Sequence, residues 1–123
     1  MSRVAWLLLA GASLLAGCRN SGAPAHLHVA DGDAERGRMV VGRIGCGVCH
    51  AIPNVKGARG RVGPSLEAFG SRAFIAERMP NRPGTLIQFV RNAPSLEPGT
   101  AMPELPLDDQ EARDVAAFLY TLR

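Results

Sequence analysis

The chain has 123 residues, of which 46% are hydrophobic, so it holds one small domain plus a targeting segment, which excludes a multidomain enzyme. Its net charge at pH 7 is +3. It contains three cysteines, an odd number, and only six aromatic residues. So few rings indicate that a large apolar cofactor fills part of the core.

The first 17 residues are predicted to be a secretory signal peptide. Arg3 is the basic residue at its start, and the apolar run from Val4 to Leu15 is too short to span a bilayer. The run ends in Leu15-Ala16-Gly17-Cys18, which resembles the lipobox of bacterial lipoproteins. In such a sequence the Cys sulfur receives a diacylglycerol and cleavage follows before the Cys. The resemblance implies lipidation at Cys18, and the alternative is an ordinary signal peptide cut near Ala16, with Cys18 left as a free thiol.

Residues 18–33 are predicted to be a flexible tether, because they show little periodicity and are rich in small and polar side chains. His26 and His28 lie in this segment. Their alternation fits either a weak metal or haem-ligand pattern or two solvated side chains. Together with the signal peptide, the tether predicts an exported protein held by lipid at the periplasmic face of a bacterial membrane, without a transmembrane span of its own.

The domain proper is predicted over residues 34–123. Asp33 as N-cap and Glu35 in the first turn predict a helix from about Ala34 to Gly45. Gly37 and Gly42 weaken this helix intrinsically, which indicates the close approach of another helix.

Cys46-Gly47-Val48-Cys49-His50 follows this helix and is the pattern of covalent c-type haem attachment. Two sulfurs one helical turn apart can form thioethers with both vinyl groups of one haem, and His50 then becomes the proximal iron ligand. Three other interpretations of the cysteine pair stay open: a thioredoxin-like redox site, half of a zinc site and a strained disulfide. The first lacks a neighbouring βαβ pattern, and the second lacks further ligands. Haem attachment would leave one sulfur, Cys18, for the lipid.

Gly63-Pro64-Ser65-Leu66 comes next, and together with the haem motif it resembles the class I cytochromes c. The resemblance implies an all-α fold of about three to five helices around one covalent haem c. It also implies that the Pro64 carbonyl accepts a hydrogen bond from the far nitrogen of His50, and that Leu66 packs on the haem face. The implied function is electron transfer without catalysis.

Residues 71–84 are predicted to be irregular. A short helix is predicted from about Thr85 to Asn92, with Leu86, Phe89 and Val90 on one face, and Ala93-Pro94 is expected to stop it.

The segment Pro98-Gly99-Thr100-Ala101-Met102-Pro103 resembles the distal methionine loop of class I cytochromes c, particularly of domains fused to or encoded beside haem-copper oxidase subunits. The resemblance implies that Met102 is the sixth iron ligand, a soft thioether that raises the redox potential. Met79, which also precedes a proline, is its rival, and His26 or an open site are further alternatives.

The last helix has the clearest signal in the chain. Asp108 as N-cap and Glu111 three residues later predict its start. Its apolar residues recur at helical spacing: Ala112, Val115, Ala116, Leu119 and Leu122. The resemblance implies that it crosses the first helix at a contact of Gly37 or Gly42 with Phe118.

One departure from the family concerns the haem propionates. Trp6 lies in the predicted signal peptide, so the mature chain lacks the indole that binds a propionate in many relatives. Arg72 or another nearby arginine is expected to replace it.

Charge is distributed unevenly along the domain. Residues 36–91 contain ten basic and two acidic side chains, whereas residues 92–123 contain two basic and six acidic ones. A cationic rim around the haem would steer the domain to an acidic redox partner. The expected partners are a haem-copper oxidase or a quinol:cytochrome c reductase, together with the membrane through the lipid anchor, and not nucleic acid. The alternatives are a permanently bound haem subunit of a larger complex and a haem gas sensor with an open sixth site.

Overall fold

The computed structural model describes residues 24–123, where four helices and connecting loops enclose an apolar cavity. The helices are α1 (Ala34–Ile44), α2 (Pro83–Arg91), α3 (Ala93–Leu96) and α4 (Asp109–Leu119). A small antiparallel hairpin, β1 (Phe74–Ile75) and β2 (Met79–Pro80), lies between α1 and α2. The predicted signal peptide and Cys18 lie outside the described residues. No helix in residues 24–123 is long and apolar enough to cross a membrane.

Helix α1 begins and ends at the predicted signals. The Asp33 side chain accepts a hydrogen bond from the Arg36 N–H, which supplies one unpaired amide of the first turn with a partner. Gly45 ends the helix in the left-handed conformation, with φ 83°, where a residue without a Cβ is favoured. The chain therefore turns directly from α1 into Cys46.

Helix α4 has the predicted capping box. The Asp108 side chain accepts from the Glu111 N–H, and the Glu111 side chain accepts from the Asp108 N–H. The helix is amphipathic, and its buried face packs on α1 and α2. That face consists of Ala112, Asp114, Val115, Ala116, Phe118 and Leu119.

Helices α1 and α4 approach most closely at Gly37. A Cβ added to Gly37 would lie 1.9 Å from the Asp114 carbonyl oxygen and 2.9 Å from the Phe118 Cβ. Gly42, on the same helix, faces open space. The predicted contact of a glycine with Phe118 therefore involves Gly37, because any larger residue there would push the two backbones apart.

Asp114 adds a buried polar contact beside this crossing. Its carboxylate accepts hydrogen bonds from the Arg36 guanidinium at 2.9 and 3.0 Å, from the Asp33 N–H at 2.8 Å and from the Gln110 amide at 3.0 Å. Burial by itself would raise the pKa of Asp114, but these hydrogen bonds outweigh it and hold the pKa below its usual value. The carboxylate thus stays charged and joins the start of α1 to the middle of α4.

The segment before α1 is folded, which corrects the predicted tether over its last ten residues. Leu27 and Val29 are only 5% and 4% exposed, and the Gln110 amide donates to the Asp31 carbonyl at 2.7 Å. A Cβ on Gly32 would meet the Arg113 carbonyl oxygen at 2.9 Å, so the segment lies tightly on α4. The interpretation as a tether weighed the small and polar residues and overlooked two apolar side chains at alternate positions.

The region around α2 differs from its prediction in two details. Asn92 breaks the helix, but α3 follows at once, since Pro94 lies in the first turn, where no N–H donor is needed. The residues predicted to be irregular include the hairpin, in which Phe74 lies opposite Pro80 and Ile75 lies opposite Met79. Its turn residues, Ala76 and Glu77, have positive φ angles but are not the glycine or asparagine that signals such a turn.

We expect Gly37→Ala to lower the free energy of unfolding by about 2–3 kcal/mol, because the added methyl group collides with the α4 backbone. Gly42→Ala is the matched control in the same helix. It has room for a methyl group and should raise stability by about 0.5–1 kcal/mol through helix propensity. Denaturant unfolding of the haem-loaded variants measures both values, and equal effects of the two substitutions would contradict the assignment of Gly37 as the crossing point.

Candidate functional site

A cavity of about 480 Å³ lies between the helices and the loops, with walls that are mainly apolar. Every site residue predicted within the domain lines it: Cys46, Cys49, His50, Pro64, Leu66 and Met102. These residues come from three separate stretches of sequence, so the fold is what brings them together.

The two thiols of the pentapeptide face this cavity. After Gly45 the chain forms a 3-10 turn from Cys46 to Val48, and the His50 N–H donates to the Cys46 carbonyl at 3.0 Å. Cys46 and Cys49 are both free, so no disulfide joins them. Burial raises the pKa of the Cys46 thiol, whereas a thioredoxin-like redox pair needs a lowered one. Residues 24–123 contain no group of three or more His, Cys, Asp or Glu side chains that could hold a metal ion.

The imidazole of His50 is oriented by the next motif. Its Nδ1 lies 2.7 Å from the Pro64 carbonyl oxygen, which confirms the predicted contact. A carbonyl can only accept a hydrogen bond, so Nδ1 carries the proton and Nε2 keeps the lone pair that binds a metal. Gly63 makes this position possible, since a Cβ there would lie 2.4 Å from the His50 Cε1.

A tight loop supports the pentapeptide from behind. Residues 56–64 are basic and rich in glycine, which predicted a flexible loop around the edge of the cofactor but not this support. The Gly60 N–H donates to the carbonyls of Gly47 and His50, at 3.0 and 3.2 Å. A Cβ on Gly60 would lie 2.4 Å from the Cys49 carbonyl carbon, and one on Gly47 would lie 2.6 Å from the Ala58 Cα. The repeated glycines of this loop were the available signal, and close backbone packing rather than flexibility explains them.

Leu66 is half-buried and packs against the core. Its N–H donates to the Ala51 carbonyl at 2.8 Å, which ties it to the residue after His50. Its side chain lines the cavity, as predicted for a residue that packs on the haem.

Met102 and Met79 are in different places. Met102 lines the cavity, and its N–H donates to the Thr100 hydroxyl at 3.1 Å. The loop is attached to α2 by a hydrogen bond from the Leu105 N–H to the Arg91 carbonyl, at 2.8 Å. Met79 lies in β2, where it packs on the core outside the cavity lining. His26, the other alternative ligand, is exposed on the N-terminal segment and lies outside the lining too.

Apolar side chains of three helices form a large part of the remaining walls, beside residues of the loops and the hairpin. The periodicity of α2 and α4 had indicated part of this set as core, although not as cavity lining. The lining side chains of the helices are Val40, Val41 and Ile44 of α1, Leu86, Phe89 and Val90 of α2, and Val115 and Leu119 of α4.

Comparison with known proteins agrees with this geometry. The family model for cytochrome c matches residues 34–123. The chain belongs to the cytochrome c family. Subunit 2 of cytochrome c oxidase from Alkalihalophilus pseudofirmus is 34% identical over 90 residues, which cover 73% of this chain and 25% of that protein. The chain thus spans about a quarter of the length of this curated relative.

A solved structure is also similar. The crystal structure of SoxXA from P. pantotrophus matches with a TM-score of 0.60 and 26% sequence identity, over 83% of this chain and 90% of that one. The class I cytochrome c fold predicted from the sequence is confirmed by this match together with the family model.

The cofactor of this cytochrome c is covalently bound haem c. The residues of the cavity fit it: two free thiols for the thioethers, an imidazole with Nε2 available, and apolar walls for the porphyrin faces. Haem in this family carries one electron at a time, so the general function of the chain is electron transfer.

Proposed function

We propose that this cytochrome c carries single electrons in a respiratory chain, with iron held between His50 and Met102. The observation that carries the proposal is that these two side chains line one cavity together with Cys46 and Cys49, while Met79 lies elsewhere. Haem c supplies a one-electron couple at its iron when bound. A thioether opposite an imidazole favours ferrous iron and raises the potential.

Two features of the chain support a carrier rather than a catalyst. Within the described residues, the cavity is lined by no carboxylate or lysine, and its one imidazole, that of His50, is the proposed iron ligand and so would not act as a general acid or base. Two protein ligands on iron would also leave no position for a substrate. Met102 is held for this role by its loop, through the Thr100 hydroxyl and the link from Leu105 to α2.

Spectra and potentials of Met102→Ala and Met79→Ala test the ligand assignment. Met102→Ala should lower the midpoint potential and allow the reduced protein to bind carbon monoxide at neutral pH, because the sixth position opens. Met79→Ala should leave both properties unchanged. It should lower the free energy of unfolding by about 2 kcal/mol, because Met79 is partly buried against the core. Carbon monoxide binding by the parent protein would favour a gas sensor, and a colourless product in cells that mature cytochromes would refute the haem site itself.

The same haem could serve a free carrier or a subunit of a complex. The curated relative is a subunit of an oxidase, and the solved structure is of SoxXA. These names support a second candidate function, a permanently bound haem subunit. Co-purification of the protein with a larger oxidoreductase would favour the subunit, and isolation alone would favour the carrier.

We also propose that the protein is exported and anchored through lipid on Cys18 at the periplasmic face of the membrane. The support is the apolar run of the sequence that ends in Leu15-Ala16-Gly17-Cys18. Haem attachment would use the other two cysteines, so an anchor accounts for the third.

Cys18→Ser tests the anchor. We expect the parent protein in the membrane fraction, with labelled fatty acid incorporated, and the variant without label, because serine cannot carry the thioether lipid. The haem spectrum of any mature variant should be unchanged. Recovery of the unlabelled parent protein in the soluble fraction would contradict lipidation.

The partner is proposed to be a redox protein with an acidic docking surface, of the haem-copper oxidase or quinol:cytochrome c reductase type. Five of the ten basic residues in the basic stretch form ion pairs: Arg36, Arg38, Arg43, Arg78 and Arg91. The unpaired charge is therefore smaller than the sequence count suggests. Lys56, Arg59 and Arg61 are exposed and form no ion pair within residues 24–123.

One of these charges, that of Arg61, lies next to the rim of the cavity. Val62, which follows Arg61 directly, lines the cavity and is 78% exposed, and Phe74, another lining residue, is 55% exposed. An apolar rim beside a cation suits a surface that is steered by charge and then docks through apolar contact.

An anionic and a cationic small redox complex test the sign of the charge at this rim. Arg61→Glu should slow electron exchange with ferricyanide several-fold at low salt and speed exchange with hexaammineruthenium, because the local charge reverses. Arg123→Glu makes the same change in net charge at the exposed C-terminus and should have a much smaller effect. Equal effects of the two variants on the exchange rates would contradict a local docking rim, because they would show that only the net charge of the protein matters.

A further inference from the structure

We propose that the ion pair of Arg78 with Glu97 positions Met102, because it joins the hairpin to the loop that carries this methionine. The hairpin and the loop both line the cavity, although they are separate in sequence. The inference rests on the proposed His50–Met102 ligation for its consequence at the iron. The order of the loop itself can be measured whichever ligand the iron has.

The hairpin forms one side of the cavity and has little support of its own. Phe74, Ile75 and Ala76 line the cavity, but β1 and β2 are paired over only two residues each. Ala76 and Glu77 turn the chain with φ angles of 47° and 62°, in the left-handed region that strains a residue with a Cβ. So short a hairpin is not stable alone, so contacts with the rest of the domain must hold it in place.

The loop after α3 connects Glu97 to Met102 through hydrogen bonds. Glu97 is the C-cap of α3, and its carbonyl accepts from the Thr100 N–H at 3.0 Å. The Thr100 hydroxyl accepts from the Met102 N–H at 3.1 Å. The far end of the loop is fixed separately, where the Leu105 N–H donates to the Arg91 carbonyl. Movement of Glu97 therefore reaches Met102 through Thr100.

The guanidinium of Arg78 joins the two segments. Its Nη1 lies 3.3 Å from each carboxylate oxygen of Glu97, and the Arg78 N–H donates to the Ile75 carbonyl at 3.2 Å. The Glu97 side chain is only 23% exposed. Within residues 24–123 its carboxylate has no other hydrogen-bond donor, so loss of Arg78 would leave a largely covered charge without a partner.

The effect of the pair is expected in the loop and not in the whole domain. The Arg78 side chain is 74% exposed, and ion pairs in contact with water contribute little to global stability. Local opening of a loop, however, breaks only the contacts of that loop and leaves the helix crossing intact. A single ion pair is then a substantial part of what keeps Met102 in place.

Amide hydrogen exchange of the haem-loaded protein tests the link. Glu97→Gln and Arg78→Gln should each speed exchange of the Thr100 and Met102 amides by about twofold to fivefold, the range expected for a surface ion pair. The amides of α4 should exchange at the parent rate, because the crossing with α1 is untouched.

Two matched controls make the same charge changes outside the pair. Glu104→Gln alters an exposed acid of the same loop, and Arg82→Gln alters an exposed arginine close to the hairpin. Neither residue forms an ion pair within the part of the chain that the structure describes. Both variants should leave the Thr100 and Met102 amides unchanged, and effects equal to that of Glu97→Gln would overturn the proposal.

Charge reversal separates a direct interaction from two independent effects. Arg78→Glu and Glu97→Arg alone should each speed exchange of the two loop amides more than the neutral variants do. The double variant restores the pair with its charges exchanged, and its rates should return to within about twofold of the parent. Additive effects of the two reversals would overturn the proposal.

Binding of added imidazole to the oxidised haem gives the consequence at the iron. Met102 must leave before imidazole binds, so Glu97→Gln and Arg78→Gln should speed binding by the same factor as amide exchange. Faster exchange with unchanged imidazole binding would overturn the positioning of Met102. Immediate imidazole binding by the parent would instead contradict the His50–Met102 ligation, and parent-like amide exchange in both neutral variants would overturn the link itself.

Discussion

The close approach of α1 and α4 at Gly37 is the constraint on which the haem cavity depends. With no Cβ at this point, the two helix backbones meet, and the Asp114 carboxylate joins them through Arg36 and the Asp33 N–H. From this crossing, α1 leads into Cys46, while α4 presents Val115 and Leu119 to the cavity. Gly37 thereby determines how closely α1 and α4, which both line the cavity, can approach each other.

Local signals in the sequence predicted the parts of the site that local geometry determines. The capping residues Asp33 and Asp108 predicted the starts of α1 and α4, because a cap depends on side chains within one turn. The contact of His50 with Pro64 was predicted by resemblance and is present. Gly37 and Gly42 were both left open as the contact, although five residues place them about 140° apart around α1. The structure shows that Gly37 is the one that faces α4.

Parts that depend on tertiary packing were missed or misinterpreted. Leu27 and Val29 lie in a segment rich in small residues, and only the surface of α4 shows why they are buried. The hairpin of β1 and β2 is two residue pairs long, too short for a periodic pattern to reveal. The free positive charge of residues 36–91 was overestimated because some ion-pair partners come from the other end of the domain. Arg43 pairs with Glu111, and Arg91 pairs with Asp109.

The haem is best understood as part of the core of this small domain. The walls of the cavity are contributed by all three longer helices, and the chain has few aromatic side chains to fill such a space. Without the cofactor, those walls would meet water or collapse, and either outcome loses apolar burial that a domain of this size needs. The glycines behind the pentapeptide keep its backbone fixed where the two sulfurs face that space. Attachment and folding are therefore coupled, since the same apolar contacts that bind the porphyrin faces hold α1, α2 and α4 together.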